Sequence, residues 1–174
     1  MLDWQKDKRW SDGLLPEIKQ ILGLHLIGEP PMEEDAERNT DLIVLRMEAV
    51  RIGCRIRRHQ YLERYHDEFT IRAGRPSGVK TELTKIIEGW GDYFFYGFAT
   101  EDGTRLAAWT LGDMRVFRRA YAVKLLNTHP GKAPGVSKRN FDGSSSFAVF
   151  RWDEFPPEFI VGWMRPQHLM RSAA

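Results

Sequence analysis

The spacing of apolar residues near the start of the chain predicts a helix. Ser11, Asp12 and Gly13 can cap it, and Gly23 is expected to end it. Pro16 falls in the first turn, where the missing amide proton of proline is tolerated. The apolar residues that recur at helical spacing are Leu14, Leu15, Ile18, Ile21 and Leu22.

Three strands are predicted next. Residues 41–47 (DLIVLRM) form a short apolar run, and residues 50–57 (VRIGCRIR) alternate between apolar and polar positions. The short connection between them predicts an antiparallel hairpin. Residues 68–72 (EFTIR) form the third strand, after a helical turn. The polar face of the second strand carries Arg51, Gly53, Arg55 and Arg57, and its apolar face carries Val50, Ile52, Cys54 and Ile56.

The following segment predicts helix, strand, strand and helix. Residues 81–90 form an amphipathic helix with Trp90 on its apolar side. An aromatic strand at 93–99 turns back into a strand at 105–111. Asp113 can cap the next helix.

These elements predict a single α/β domain with a central mixed β-sheet flanked by helices. The domain spans residues 1–174, with a core at about 11–125. A segment rich in Gly, Pro, Ser and Lys at about 128–146 is predicted to be a mobile loop. A C-terminal strand and tail follow at 147–174.

Composition narrows the class of protein. Of the 174 residues, 42% are hydrophobic and 29% charged, as in ordinary globular domains. A formal net charge of +2 excludes a simple polybasic binder. The single cysteine, Cys54, favours a reducing compartment and is expected in the core. Without a long apolar run or a signal-peptide pattern, we expect a cytoplasmic protein with no membrane partner.

The small net charge conceals a segregation of charge along the chain. Acidic residues cluster at 29–41 and arginines at 46–75. The two clusters can form a metal site beside a phosphate-binding surface, or they can neutralise one another on a solvated surface. Arginine favours the first interpretation, because its planar guanidinium matches phosphate geometry.

Asp41 precedes an apolar strand, where a carboxylate must cap a turn, pair with a cation or bind a metal. One interpretation makes it a turn or cap residue. The other makes it a magnesium ligand, with Asp35, Glu34 or Glu17 completing the oxygen shell.

A glycine-rich loop at 74–78 leads into the predicted helix at 81–90 and can form a phosphate cradle or an ordinary strand-to-helix connection. The aromatic residues of the strand at 93–99 can stack on exposed bases or fill the core. The polar residues around the loop are Thr70, Arg72, Arg75, Ser77, Lys80 and Thr81.

The order of elements over residues 14–98, with Asp41 opening a strand, resembles the restriction-endonuclease-like (PD-(D/E)XK) superfamily of phosphodiesterases. In that family an aspartate begins the second core strand, and an acidic-x-Lys element lies on the next one. The resemblance makes Asp41 the first motif residue. The following strand departs from the pattern, because Arg55 and Arg57 stand where the acidic-x-Lys element is expected.

The resemblance implies a magnesium-dependent phosphodiesterase that binds and acts on nucleic acid, either DNA or RNA. Asp41 would bind the metal with Asp35 and Glu17, while Arg55 and Arg57 stabilise the charge that develops on phosphate. The residues expected to bind nucleic acid are Arg51, Arg58, Arg72, Arg75 and Lys80.

Two other functions stay open. The missing acidic-x-Lys pair is compatible with a non-catalytic accessory protein of a phage or mobile element, which binds nucleic acid or inhibits a defence complex. A protein–protein adaptor would instead present an aromatic surface near Trp152, Phe155, Phe159 and Trp163.

Overall fold

The computed structural model describes residues 3–26, 50–129, 132–140 and 143–165. The chain divides into two compact units, Met1–Val50 and Arg51–Ala174. The described part of the first unit contains two helices, α1 (Asp3–Asp12) and α2 (Leu15–Leu26).

The N-terminal helix prediction needs two corrections. Residues 11–13 were expected only to begin a helix, but they also form the C-terminal end of the preceding helix, α1. There the Gly13 amide donates to the carbonyl oxygens of Arg9 and Trp10 at 3.2 and 3.1 Å. The second helix continues through Gly23. A glycine within a helix costs only about 1 kcal/mol relative to alanine, so favourable neighbours can carry the helix past it.

The second unit contains seven strands and three helices among its described residues. The strands are β1 (Ile52–Arg57), β2 (Glu68–Gly74), β3 (Tyr93–Ala99), β4 (Leu106–Asp113), β5 (Val136–Arg139), β6 (Ser146–Arg151) and β7 (Ile160–Met164). The helices are α3 (Leu62–Tyr65), α4 (Glu82–Ile87) and α5 (Met114–Leu126). Short 3-10 turns lie at His59–Tyr61, Trp152–Glu154 and Pro157–Phe159.

The described strands form two sheets. One has the order β1-β3-β4-β7, in which β1 and β3 are parallel and the other neighbours antiparallel. The second is antiparallel, with the order β2-β6-β5. The predicted α/β class with a mixed sheet and helices is confirmed. The described strands do not form the one sheet that was expected, because β2 pairs with β6, a strand far away in the sequence.

The predicted order of core elements is met in part. The parallel strands β1 and β3 are connected through α4, as parallel strands require a crossover. The third predicted strand, residues 68–72, lies in β2 and therefore does not continue a meander from β1. The predicted strand at 41–47 lies outside the described residues.

The segment predicted as a mobile loop, about 128–146, contains β5. This strand pairs with β6 in a register that runs from Val136 opposite Val149 to Arg139 opposite Ser146. All four side chains of β5 are exposed. A strand that buries no side chain shows no hydrophobic alternation, so its composition alone indicated a loop.

An aromatic cluster fills the space between the two sheets and α5. Phe69 of β2 lies at its centre, with its ring centroid 4.3 Å from that of Trp152, 5.5 Å from Phe150 and 6.1 Å from Phe117. On the other sheet, the Phe94 ring lies 6.4 Å from Phe69. These contacts hold the two sheets together.

Burial decides one open alternative and corrects one predicted surface. The aromatic residues of β3 belong to the core and cannot stack on bases, apart from the half-buried Tyr93. Of the predicted adaptor surface, only Trp163 is exposed. The buried residues of these two sets are Phe94, Phe95, Tyr96, Phe98, Trp152, Phe155 and Phe159.

Two single positions also differ from expectation. Cys54 is exposed instead of buried, as is its neighbour Gly53, on a strand that has a neighbouring strand on one side only among the described strands. The helix predicted at 81–90 ends at Ile87, and Trp90 is exposed. No helix in the described parts of the chain has the length and apolar character that crossing a bilayer requires.

Candidate phosphate-binding groove

The edge strands β1 and β2 approach each other where the two sheets meet. The Arg55 guanidinium on β1 donates from Nη1 to the Thr70 hydroxyl on β2 at 3.2 Å. No ladder of backbone hydrogen bonds joins these strands in the described structure. The space between them is therefore lined by side chains.

Two cavities of about 370 and 420 Å³ flank this contact, and Arg55 and Arg72 line both of them. Among the described residues, eight cationic side chains and two carboxylates, Glu68 and Glu82, line the pair. We call the two cavities together the basic groove. The cavity of about 420 Å³, which residues of β5 help to line, is the β5 cavity, and the cavity of about 370 Å³, which residues of α4 help to line, is the α4 cavity. The cationic residues are Arg55, Arg57, Arg72, Arg75, Lys80, Lys85, Lys138 and Arg139.

Glu82 organises the middle of the groove. Its Oε2 atom accepts from Arg55 Nη2 at 2.5 Å and from the backbone amide of Arg72 at 3.0 Å. Thr70, which also contacts Arg55, lies 3.3 Å from the Tyr96 hydroxyl. Charge-assisted hydrogen bonds of this kind fix the direction of a guanidinium. Arg55 is therefore held in place before any ligand arrives.

The local sequence explains the position of Glu82. Thr81 is the N-cap of α4, and its hydroxyl accepts from the Thr84 amide at 3.3 Å. The cap directs the chain into the helix, so Glu82 falls in the first turn, where a carboxylate is favourable. Lys85 follows three residues later and lines the α4 cavity. Neither residue was predicted as part of a site, although the Thr-Glu-x-Thr-Lys pattern carries the cap signal.

Arg72 lies in a strongly cationic environment. Burial lowers its pKa below the ordinary arginine value, and the charges of Arg75 and Arg55 lower it further. Its Nε atom is buried and has no hydrogen-bond partner within the described structure. The guanidinium carbons of Arg55 and Arg72 lie 5.4 and 5.7 Å from the centre of the Phe147 ring. An anion in the groove would relieve the repulsion between these like charges.

Aromatic rings order the cations of the β5 cavity. The Arg57 guanidinium lies 4.3 Å from the Tyr61 ring centre and 5.1 Å from that of Tyr65. The ammonium of Lys138 lies 5.5 Å from the Tyr65 ring. Such cation–π contacts contribute about 0.5–1 kcal/mol each at exposed sites. Arg57 and Lys138 thus contact the same aromatic ring, that of Tyr65.

The structure brings together most of the predicted nucleic-acid-binding residues. Arg72, Arg75 and Lys80 line the groove, as do Arg55 and Arg57, which were predicted to be catalytic. Two predicted residues, Arg51 and Arg58, are exposed at the ends of β1 and do not line either cavity.

Most of the predicted metal site lies outside the described residues. Asp41 and Asp35 lie outside the described residues, and Glu17 lies in the first turn of α2, in the other unit. Among the described residues, no group of three or more His, Cys, Asp or Glu side chains could hold a metal ion. The magnesium site therefore stays a prediction.

Comparison of the chain with family models, curated proteins and solved structures finds no match. The resemblance to restriction-endonuclease-like phosphodiesterases stays a prediction as well.

Proposed function

We propose that the basic groove binds the sugar–phosphate backbone of a nucleic acid. The observation that carries this proposal is the convergence of eight cationic side chains with only two carboxylates among the described lining residues. The chain as a whole has a net charge of only +2, so this concentration of positive charge is local. Backbone phosphates are the ligands that such a surface attracts most strongly.

The kind of cation supports a phosphate ligand. Five of the eight are arginines, whose planar guanidinium can donate two parallel hydrogen bonds to phosphate oxygens. Arg55 is held by Glu82 and Thr70, and Arg57 by Tyr61 and Tyr65. Cations that are already ordered lose less side-chain entropy when a ligand binds.

A binding titration tests the proposal. The variant carries Arg75→Glu and Lys138→Glu, which reverse one exposed charge in each cavity. The control is Arg119→Glu, an exposed arginine of α5 that lines neither cavity. We expect wild-type protein to bind oligonucleotides of about 20 nucleotides, and the double variant to bind at least about tenfold more weakly. Equal weakening by Arg119→Glu, or no binding by wild type, would overturn the proposal.

Cleavage of the bound strand is a second proposal. It rests on the predicted metal ligand Asp41, and the observation that favours it is that Arg55 and Arg57, the two arginines predicted to stabilise charge on phosphate, line the same cavity. Incubation of labelled DNA and RNA with Mg²⁺ or Mn²⁺ tests it, with Asp41→Asn as the comparison. Cleavage that is lost in Asp41→Asn while binding persists would support a phosphodiesterase. Binding without cleavage by wild type would favour a non-catalytic binding protein.

A further inference from the structure

Trp90 is presented to solvent at the rim of the α4 cavity. It is 59% exposed, although the helical pattern of residues 81–90 predicts a buried position. The cause is the end of α4, where the Trp90 amide donates to the Lys85 carbonyl and the Gly89 amide donates to Ile86, both at 3.0 Å. Gly89 has a φ of 97°. This glycine-terminated Schellman ending turns the chain away from the helix axis.

The turn that carries Trp90 is anchored on both sides. Arg118 of α5 donates from Nη1 to the Gly91 carbonyl at 2.9 Å. The Asp92 carboxylate accepts a hydrogen bond from the Arg51 amide at 2.8 Å. In turn, the Asp92 amide donates to the Arg51 carbonyl oxygen at 2.8 Å. The indole is therefore displayed by a fixed turn.

The α4 cavity combines an apolar wall with a cationic one. The exposed side chains of Val79 and Trp90 line it beside the buried Ile86 and Met114. Arg72 and Arg75 line the same space, together with Lys80 and Lys85. A flat apolar group with an attached phosphate would satisfy both walls. Among the described residues, each cavity is lined by five cations, but no large apolar side chain that lines the β5 cavity is exposed, so the β5 cavity suits the charged backbone.

From this juxtaposition we propose that the α4 cavity receives an unpaired nucleobase, stacked against Trp90, while Arg72 and Arg75 bind the adjoining phosphate. The inference rests on the proposed function and specifies its substrate class as single-stranded nucleic acid. A base inside a duplex cannot stack on a side chain unless it leaves the helix. Stacking on aromatic side chains is how proteins bind single strands with little sequence preference.

Electrostatic attraction alone makes the opposite prediction. A duplex has a higher charge density than a single strand, so a groove that contacts only phosphates favours the duplex. Preference for a single strand therefore requires contacts with bases. An abasic strand of equal length supplies the backbone without the bases, and a mononucleotide supplies one base and phosphate without the strand.

The experiment measures dissociation constants of wild type, Trp90→Ala and Trp163→Ala at one salt concentration. Trp90 has the Arg51 guanidinium 5.7 Å from its ring centre. Trp163 is the matched control, because it is 50% exposed, has Arg165 at 5.3 Å from its ring centre and lies on β7, at the opposite edge of the sheet from β1. We expect wild type to bind a single strand more tightly than a duplex or an abasic strand. Trp90→Ala should weaken single-strand binding about tenfold, whereas Trp163→Ala should leave it unchanged.

The outcomes separate this inference from the proposed function. If no nucleic acid binds, both fail. If duplex, abasic and single strands bind equally and Trp90→Ala changes none of them, backbone binding holds and the unpaired-base inference is overturned. A mononucleotide that binds as tightly as the strand would also overturn it, because the cavity would then be a site for a free nucleotide.

Discussion

Arg55 on the edge strand β1 and Glu82 on α4 form an ion pair, with 2.5 Å between Nη2 and Oε2, although the two residues are 27 positions apart in the sequence. The same carboxylate oxygen accepts from the Arg72 backbone amide on β2. One glutamate thus connects β1, β2 and α4 at the centre of a surface that is otherwise cationic. Its charge permits two arginines to lie close together in the ligand-free protein.

Removal of the Glu82 charge should therefore destabilise the fold. The Arg55 and Glu82 side chains are only 21% and 31% exposed, so their interaction is partly shielded from water. We expect Glu82→Gln to lower the free energy of unfolding by about 2 kcal/mol. The matched control is Glu88→Gln, which breaks the exposed pair with Lys80 and should cost less than about 0.5 kcal/mol. Urea denaturation measures both, and equal costs would contradict the role of Glu82.

Binding through phosphate contacts should depend steeply on salt. Each contact with a single strand contributes about 0.7 to the slope of log Kd against log salt concentration. We expect Arg75→Ala to reduce this slope by about one contact, because Arg75 is exposed and lines the α4 cavity. Titrations at several salt concentrations test it, with Arg119→Ala as the control. An unchanged slope in Arg75→Ala would exclude a phosphate contact by this residue.

The turn between β3 and β4 should become less stable at acidic pH, when its Asp102 carboxylate is protonated. Hydrogen bonds from the Thr100 hydroxyl, and from the Thr104 hydroxyl and amide, hold the pKa of Asp102 at about 2. The pKa of an aspartate in an unfolded chain is about 3.9. The stabilisation is therefore complete above that pH and is lost as the pH falls towards 2.

We therefore expect Asp102→Asn to lower the melting temperature at pH 6 and to have much less effect at pH 2. Thermal unfolding of both proteins at the two pH values measures this difference. An equal effect at the two pH values would show that the charge of Asp102 does not stabilise the turn.

Two glycine-to-alanine substitutions should have opposite effects. Gly89 adopts a φ of 97°, where a side chain is strained although no atom lies within 4 Å of the position of an added Cβ. Gly89→Ala should cost about 1–2 kcal/mol. Gly23 lies within α2, also with open space around it, and Gly23→Ala should stabilise the chain by about 0.5–1 kcal/mol. Thermal or urea unfolding measures the change in stability of each variant, and stabilisation by Gly89→Ala would contradict the Schellman ending of α4.

Local sequence patterns predicted much of the secondary structure. The aromatic strand at 93–99 coincides with β3, and Asp113 caps α5, where its carboxylate accepts from the Arg115 amide. Both features depend on residues that are close in the sequence. The arginine face of β1 was predictable for the same reason, because the side chains of a strand alternate with a period of two.

Tertiary pairing decided what the sequence pattern could not. β2 joins β6 in a second sheet, and β5 brings Lys138 and Arg139 to the groove from a segment that resembles a loop. Glu82 becomes part of the site only because α4 lies beside the two edge strands. No periodicity encodes such contacts, since they depend on how separate strands and helices pack together.

Lysine acylation followed by mass spectrometry tests the central claim most directly, because it locates the bound nucleic acid without any mutation. Lys80, Lys85 and Lys138 line the groove, whereas Lys124 on α5 pairs with Glu154 and lines neither cavity. We predict that a saturating oligonucleotide slows acylation of the three groove lysines and leaves Lys124 unchanged. Protection of Lys124 with unchanged reactivity of the groove lysines would contradict the account.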